Sequence, residues 1–248
     1  MQAGSLSVPL VCPQTVELRT ELDALAEAKN YYRWILRRFR PFLGKRVVEV
    51  GAGIGTFSKF LLEVGVDELI LVEPAKNLFP ILQQRFSGDP KVRVVHGYLE
   101  NLADMGVTAS GVDSIVLVNV LEHIEDDGRA LKAAYRVLIP AGTLLLFVPA
   151  LPWLYGTLDA AFGHARRYTK RSLSSKLTDA GFRILELRYF NLPGVISWFV
   201  AGKLLRRRTL QDRDVRLYDR WVVPWASRVE ERWKPPVGQS LLAVGQKL

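Results

Sequence analysis

Short strand-like runs that alternate with helix-periodic stretches constrain this chain more than any other feature of its sequence. From Arg46 the text reads RVVEV, a run suited to a buried strand. TFSKFLLEV follows, with Phe57, Phe60, Leu61 and Val64 at i, i+3, i+4 and i+7 and Gly65 as a C-cap. The alternation continues through the strand ELILVEP, a helix over 77–86, the strands KVRVV and VDSIVLVNV, a helix over 126–138 opened by Asp126 or Asp127, and the strand GTLLLFVP. A helix over TKRSLSSKLTDAGF, with Thr169 as N-cap and Gly181 as its stop, leads into the strands RILELRYF and QSLLAVGQ. Such a sequence predicts an α/β fold, a doubly wound, mostly parallel sheet covered on both faces.

Two stretches break the alternation, 149–168 and 191–237. Long connections inside a compact domain are lids or binding loops, so both are expected over the site. Ahead of the first strand, Leu18, Leu22, Leu25, Ala26, Tyr32, Ile35, Leu36 and Phe39 recur mostly at helical spacing until Pro41 and Gly44 end the pattern. The expected organisation is a tail and helical cap over 1–44, a core over 45–190, a helical and basic insertion over 191–237 and a final core strand over 238–248.

The 248 residues suffice to bury a large core, and the single cysteine, Cys12, allows no intramolecular disulfide, which points to a reducing, cytoplasmic compartment. The first residues lack the basic and apolar regions of a secretory signal. The longest apolar stretch, Tyr189 to Leu205, is interrupted by Asn191, Pro193 and Lys203 and is too short to span a bilayer. Of the net charge of +9, residues 202–234 hold ten Lys/Arg against five Asp/Glu. That segment reads either as a surface for anionic lipid, nucleic acid or an acidic partner, or as a solvated face with local pairs to Asp212, Asp214, Glu230 and Glu231.

The first strand gives way to GAGIG. Glycines at 51, 53 and 55 let the backbone take positive φ and let a ligand press against bare peptide groups, and the helix starting near Thr56 offers free N–H donors. In open parallel sheets this first turn is where ligands sit. The spacing is G-x-G-x-G, whereas the dinucleotide fingerprint needs G-x-G-x-x-G, and no G-K-[ST] follows to make a P-loop. Glu49 places a negative charge where a pyrophosphate would lie, which suits a cationic ligand. Glu73 ends the second strand, where a carboxylate can accept both hydroxyls of a ribose.

VVEVGAGIGTFSKFL, LILVEP, VHGYLENL and VDSIVLVNVLEHIEDDGRALKAAYRVLIPAGTLLLFVPA together resemble a class I S-adenosylmethionine-dependent methyltransferase of the small-molecule type over about residues 45–190 and the final strand. The resemblance implies a Rossmann-like seven-stranded sheet with an antiparallel last strand, and S-adenosylmethionine as cofactor with S-adenosylhomocysteine as product. It places Glu49, Gly51, Ala52, Gly53, Gly55, Glu73, Pro74, Asn119 and Val120 at the cofactor. Where this family often has an adenine-binding Asp after the third strand, this chain has Tyr98, so stacking on Tyr98 and the Leu99 backbone are expected to hold adenine, with Glu100 a substitute acceptor. NVLEHI is similar to quinone-pathway O-methyltransferases, whose E-x-x-E-H supplies metal ligands. Asn119 replaces the first Glu, so Glu122 and His123 form an incomplete set and no metal is expected.

The stretch PALPWLYGTLDAAFGHARRYTKRSL leaves the fifth strand at the site rim and resembles the acceptor side of a subgroup with a G-H-x-R-R-Y signature. His164 and Tyr168 are its candidate catalytic residues, because imidazole can take the proton shed by an oxygen or nitrogen nucleophile. Arg166 and Arg167 suit an acidic acceptor group, or His164 and the arginines instead pin the loop through Asp159 and local carbonyls, and Tyr155 and Tyr31 are candidate substrate contacts. The expected reaction is transfer of a methyl group to O or N of a small, largely apolar acceptor. A cofactor-binding adaptor without turnover and a metal-assisted quinone-type O-methyltransferase are the alternatives. Nucleic acid is disfavoured because strand four reads NVLEH and lacks an N-P-P-Y-like motif. The basic insertion leaves a peripheral membrane contact, a homodimer face or a cap on the site open.

Overall fold

The computed structural model describes residues 25–102, 106 and 111–248, so the expected tail, Cys12 and the first part of the leading helical segment lie outside the described residues. The strands are β1 (Arg46–Val50), β2 (Glu68–Glu73), β3 (Val92–His96), β4 (Val112–Val118), β5 (Leu138–Pro149), β6 (Phe182–Phe190) and β7 (Ser240–Lys247). They form one sheet in the order β3-β2-β1-β4-β5-β7-β6. The first five run parallel, and β7 lies between β5 and β6, antiparallel to both. The order reverses between β1 and β4, which opens a crevice at the carboxyl ends of those two strands.

Strand side chains alternate between two buried faces. Val48, Val50, Leu144, Leu146 and Val148 pack on the side of helices α4 (Asp127–Val137) and α6 (Lys170–Asp179). Val47, Leu69, Leu145 and Phe147 pack on the other side, against α1 (Lys29–Phe39), α2 (Thr56–Glu63) and α9 (Val223–Arg232). Helix α3 (Phe79–Phe86) covers the edge near β3, to which it makes its main contacts.

The expected caps are present. Asp126 Oδ1 accepts from Arg129 N, and Thr169 Oγ1 accepts from Ser172 N in a reciprocal capping box. Gly65 and Gly181 take positive φ at the ends of α2 and α6. The strand expected from Gly142 begins four residues earlier, at Leu138. It passes through Ala141 at φ 63, a left-handed residue that a propensity pattern does not reveal.

The segment from 150 to 168 carries one short helix, α5 (Thr157–Ala161), and rejoins the sheet where Tyr168 bridges to Ala150. The insertion is helical throughout most of its length. Helix α7 (Leu192–Trp198) runs into a π-helical stretch over Phe199–Leu204. Helix α8 (Asp212–Leu217) joins α9 through a second π stretch over Tyr218–Val222. The two irregular connections pack on each other, with Thr157 Oγ1 donating to Gly202 O and Trp198 Nε1 donating to Asp159 Oδ2.

Candidate active site

The crevice begins at the glycine turn. Gly51, Gly53 and Gly55 sit at φ 69, 58 and 80. The N–H groups of Gly51 and Ala52 both donate to Val72 O, at 2.8 and 3.2 Å, which ties the turn to β2. A Cβ on Gly51 would lie 2.6 Å from Val120 Cγ2, and one on Gly55 would lie 2.3 Å from the Phe86 ring. The first glycine therefore lets the turn pack on Val120 after β4, whereas the third lets α2 pack on α3.

Both acids expected at the cofactor are buried. Glu73 accepts from Gly53 N at 2.7 Å and from Ala75 N at 2.8 Å, so it is locked to the glycine turn. Burial raises its carboxyl above the usual range, and those two N–H groups oppose the rise. Glu49 accepts from Ser58 Oγ at 2.6 Å. Burial pushes its carboxyl up to about 8, Ser58 opposes this, and the nearby Glu73 adds to it. Among the described residues Glu49 has no ion-pair partner.

The remaining cofactor candidates line the same edge. The Pro74 carbonyl lies 3.1 Å from His96 Nε2, Tyr98 is half-buried at the carboxyl end of β3, and Leu99 is buried beyond it. Asn119 takes φ 53 immediately after β4, and its N–H donates to Phe147 O at 2.8 Å. That strained turn carries Val120 to within reach of Gly51. Thr56 Oγ1, buried without a partner at the start of α2, is a polar atom at this turn that motif reading missed.

Beyond β4 and β5 lies a compact polar cluster. Asp159 Oδ1 lies 2.9 Å from His164 Nδ1 and 2.7 Å from Arg167 Nε. Asp159 Oδ2 accepts from Gly156 N and from Trp198 Nε1, both at 3.0 Å. Burial opposes ionisation of Asp159, but the hydrogen bond from His164 and the charge of Arg167 hold it below the usual carboxylate range.

On the other side of the imidazole, His164 Nε2 lies 3.9 Å from Glu122 Oε1. Both carboxylate oxygens of Glu122 are buried with no hydrogen-bond partner. Burial pushes this carboxyl up to about 7, against the opposing charge of His164. His123 packs edge-to-face on His164 at 4.9 Å, with its Nδ1 3.2 Å from Gly163 O. Burial and the neighbouring His164 lower its imidazole to about 4. Glu122, His123 and His164 each present a ligand atom within 4.8 Å of the others, a candidate set for a cation with one carboxylate and two imidazoles.

The other acceptor-side candidates divide by their partners. Tyr155 is half-exposed at the rim and donates to His164 O at 2.8 Å. Tyr31 packs edge-on against Trp34, Phe147 and Phe190, and its hydroxyl donates to Gln239 Oε1 at 3.3 Å. Arg167 is buried, donates to Ala150 O at 2.6 Å and lies over the Trp198 ring, while its Nη2 has no partner. Arg166 instead spends its donors on the Ile124 and Glu125 carbonyls and on Asp127. Tyr168 is fully buried, and its hydroxyl donates to Asp127 Oδ2 at 2.8 Å. Asp159 anchors His164 and Arg167 as the loop-pinning alternative expects, whereas Trp198, which completes the cluster, carries no motif that assigns it such a role.

A side-chain-free turn, a strand-end carboxylate locked to it and a buried acid without a cation stand together at the carboxyl edge of a Rossmann-like sheet. The family model described as a methyltransferase domain matches residues 24–187, and the chain belongs to that family. A probable S-adenosylmethionine-dependent methyltransferase of Mycolicibacterium smegmatis is 27% identical over 184 residues, covering 72% of this chain and 68% of that protein. A ubiquinone biosynthesis O-methyltransferase of Azorhizobium caulinodans is 31% identical over 112 residues, covering 44% of this chain and only 42% of that protein. A SAM-dependent methyltransferase of Thermotoga maritima shares the fold with TM-score 0.60 at 20% identity, covering 93% of this chain and 96% of that one. The cofactor of the family is S-adenosylmethionine. Glu49, buried without a cation, and the side-chain-free turn at positive φ fit that ligand.

Proposed function

We propose that this chain transfers a methyl group to an oxygen or nitrogen atom of a small, largely apolar acceptor held between residues 150–168 and the 191–237 helices. The observation that carries the proposal is His164, aligned by Asp159 on one ring nitrogen and facing the unpartnered Glu122 carboxylate with the other. When bound, S-adenosylmethionine supplies an electrophilic methyl on a sulfonium and leaves as S-adenosylhomocysteine. Gly51, Ala52 and Gly53 admit it, Glu73 takes the ribose hydroxyls, and Glu49 faces its cationic end. Asn119, Val120, Pro74, Tyr98 and Leu99 complete the crevice.

Asp159 keeps the Nδ1 proton of His164 in place, which leaves Nε2 as the basic nitrogen. Nε2 would take the proton that the acceptor atom loses on methylation. Asp159 and Glu122 then flank the imidazolium. Holding nucleophile and methyl in line at about 3 Å supplies most of the acceleration. Tyr155 and Tyr31 shape the acceptor side, the G-H-x-R-R-Y segment supplies Arg167 as its polar floor, and Arg166 and Tyr168 anchor the segment.

The test is release of S-adenosylhomocysteine by the full chain with panels of phenolic, amine and lipid-like acceptors. Cofactor binding without turnover across all three panels favours a silent cofactor-binding adaptor and refutes transfer to such acceptors. A second reading, metal-assisted O-methyl transfer, is favoured by the orphaned Glu122 oxygens and by the three converging ligand atoms. Asp159 would then orient His164 from behind, as acids behind metal-bound imidazoles do. Calorimetric titration with Mn²⁺ and Zn²⁺, repeated with Glu122→Gln, separates the two readings.

A further inference from the structure

Helices α8 and α9, joined by the π turn, present one face to the protein and a very different face to solvent. On the inner face, Asp219 accepts from the N–H groups of Asn30 and Tyr31 at 3.0 and 2.8 Å, and Tyr218 donates to Asn191 at 2.6 Å. Glu230 accepts from Asn191 N and Leu192 N at 3.1 and 2.8 Å. Two of the five acids in this segment are thereby turned inward. The five arginines of residues 212–233 all remain exposed, as do the other five Lys/Arg of residues 202–234, against three outward carboxylates. Asp214 is paired with Arg207 and Glu231 with Arg37. Arg213, Arg216 and Arg220 make no salt bridge among the described residues.

Four residues apart along the outer face stand Leu217, Trp221 and Trp225, exposed by 47%, 65% and 61%, with Val229 and Trp233 continuing the row. An aqueous surface gains nothing from such a row, which a stable fold would bury. Across the Arg207–Asp214 pair, the preceding helix exposes Ile196, Phe199 and Leu204 beside Lys203 and Arg206.

We propose that the outer face of residues 212–233 docks on the surface of an anionic lipid bilayer. The tryptophans would enter the headgroup boundary and the flanking arginines would meet lipid phosphates. Rings with an apolar body and a polar N–H belong at that boundary, and a basic face beside them is the composition of an interfacial helix. Nucleic acid would use the arginines and leave Leu217 and Val229 in water. A symmetric dimer through the same patch would bring Arg213, Arg216 and Arg220 against their own copies, a like-charge juxtaposition that opposes association. This docking is independent of whether the chain turns over any acceptor.

The test is flotation of the full chain with vesicles of phosphatidylcholine alone and of phosphatidylcholine with phosphatidylglycerol, alongside tryptophan emission. Binding is expected only to the anionic vesicles, with a blue shift, and it should weaken as salt is added. The exposed pair W221A/W225A should lower vesicle affinity by about tenfold or more while circular dichroism and cofactor binding stay unchanged. The triple variant R213Q/R216Q/R220Q should flatten the salt dependence. No flotation, equal flotation with neutral vesicles, or flotation unchanged by W221A/W225A overturns the proposal. So does a dimer in gel filtration that W221A/W225A dissolves.

Discussion

Nδ1 of His164 lies 2.9 Å from Oδ1 of Asp159, and that same oxygen lies 2.7 Å from Nε of the buried Arg167. One carboxylate therefore fixes the imidazole, neutralises a guanidinium and, through Oδ2, receives Trp198 from the helical insertion. Asp159→Asn removes the charge that Arg167 faces in the interior. Breaking a buried pair from one side costs about 3–5 kcal/mol. The expected result is a large fall in thermal midpoint together with loss of turnover. A variant that keeps both its midpoint and its rate would remove Asp159 from the centre of the site.

Glu73 occupies two N–H donors beside the proposed cofactor crevice, those of Gly53 and Ala75. Glu73→Ala deletes the proposed ribose acceptor and also frees the glycine turn. S-adenosylmethionine affinity should fall at least tenfold, about 1.4 kcal/mol or more. Glu73→Gln, which keeps one acceptor oxygen, should recover part of it. Unchanged affinity by calorimetry in Glu73→Ala would place the cofactor elsewhere.

As the proposed partner of the ligand's cationic end, Glu49 should make cofactor binding pH-dependent. Burial raises its carboxyl from the ordinary 4.5 to about 8, so the fold favours the neutral form. The stability this group contributes is fully present below its ordinary value and is lost as pH rises through about 8. A cationic ligand favours the ionised form instead. Binding at neutral pH should therefore release up to about one proton, and affinity should rise with pH towards the raised value. Calorimetry in buffers of different ionisation enthalpy measures the release. It should vanish in Glu49→Gln, a control that also separates it from Glu122, whose carboxyl is likewise raised.

Most of the architecture was legible in the sequence because strand and helix periods differ and caps are local. Asp126, Thr169, Gly65 and Gly181 mark their ends with side chains or backbone angles that depend on few neighbours. The glycine turn and its two acids were legible for the same reason. The polar cluster was only half legible. His164, Arg167 and their anchor Asp159 are legible because they lie within nine positions of one another, but Trp198 reaches Asp159 from 39 positions away. The charge of the insertion also misled at the level of pairing. Glu230, expected as a local partner for arginines, lies buried and holds two backbone N–H groups.

Tyr168 separates the two kinds of role in the G-H-x-R-R-Y segment. Its hydroxyl donates to Asp127 at 2.8 Å, and Asp127 also pairs with Lys176 at 2.6 Å and Arg166 at 3.2 Å. Asp127 thus clamps the end of the segment to α4 and α6. Tyr168→Phe keeps the ring in the core and removes one hydrogen bond, at a cost of about 1 kcal/mol, because Asp127 retains two cations. The thermal midpoint should drop by a few degrees while kcat and KM stay near those of the parent chain. His164→Ala, by contrast, should cut kcat with a small change in midpoint. If Tyr168→Phe instead lowered kcat with stability intact, the hydroxyl would act on the acceptor and the clamp would be incidental.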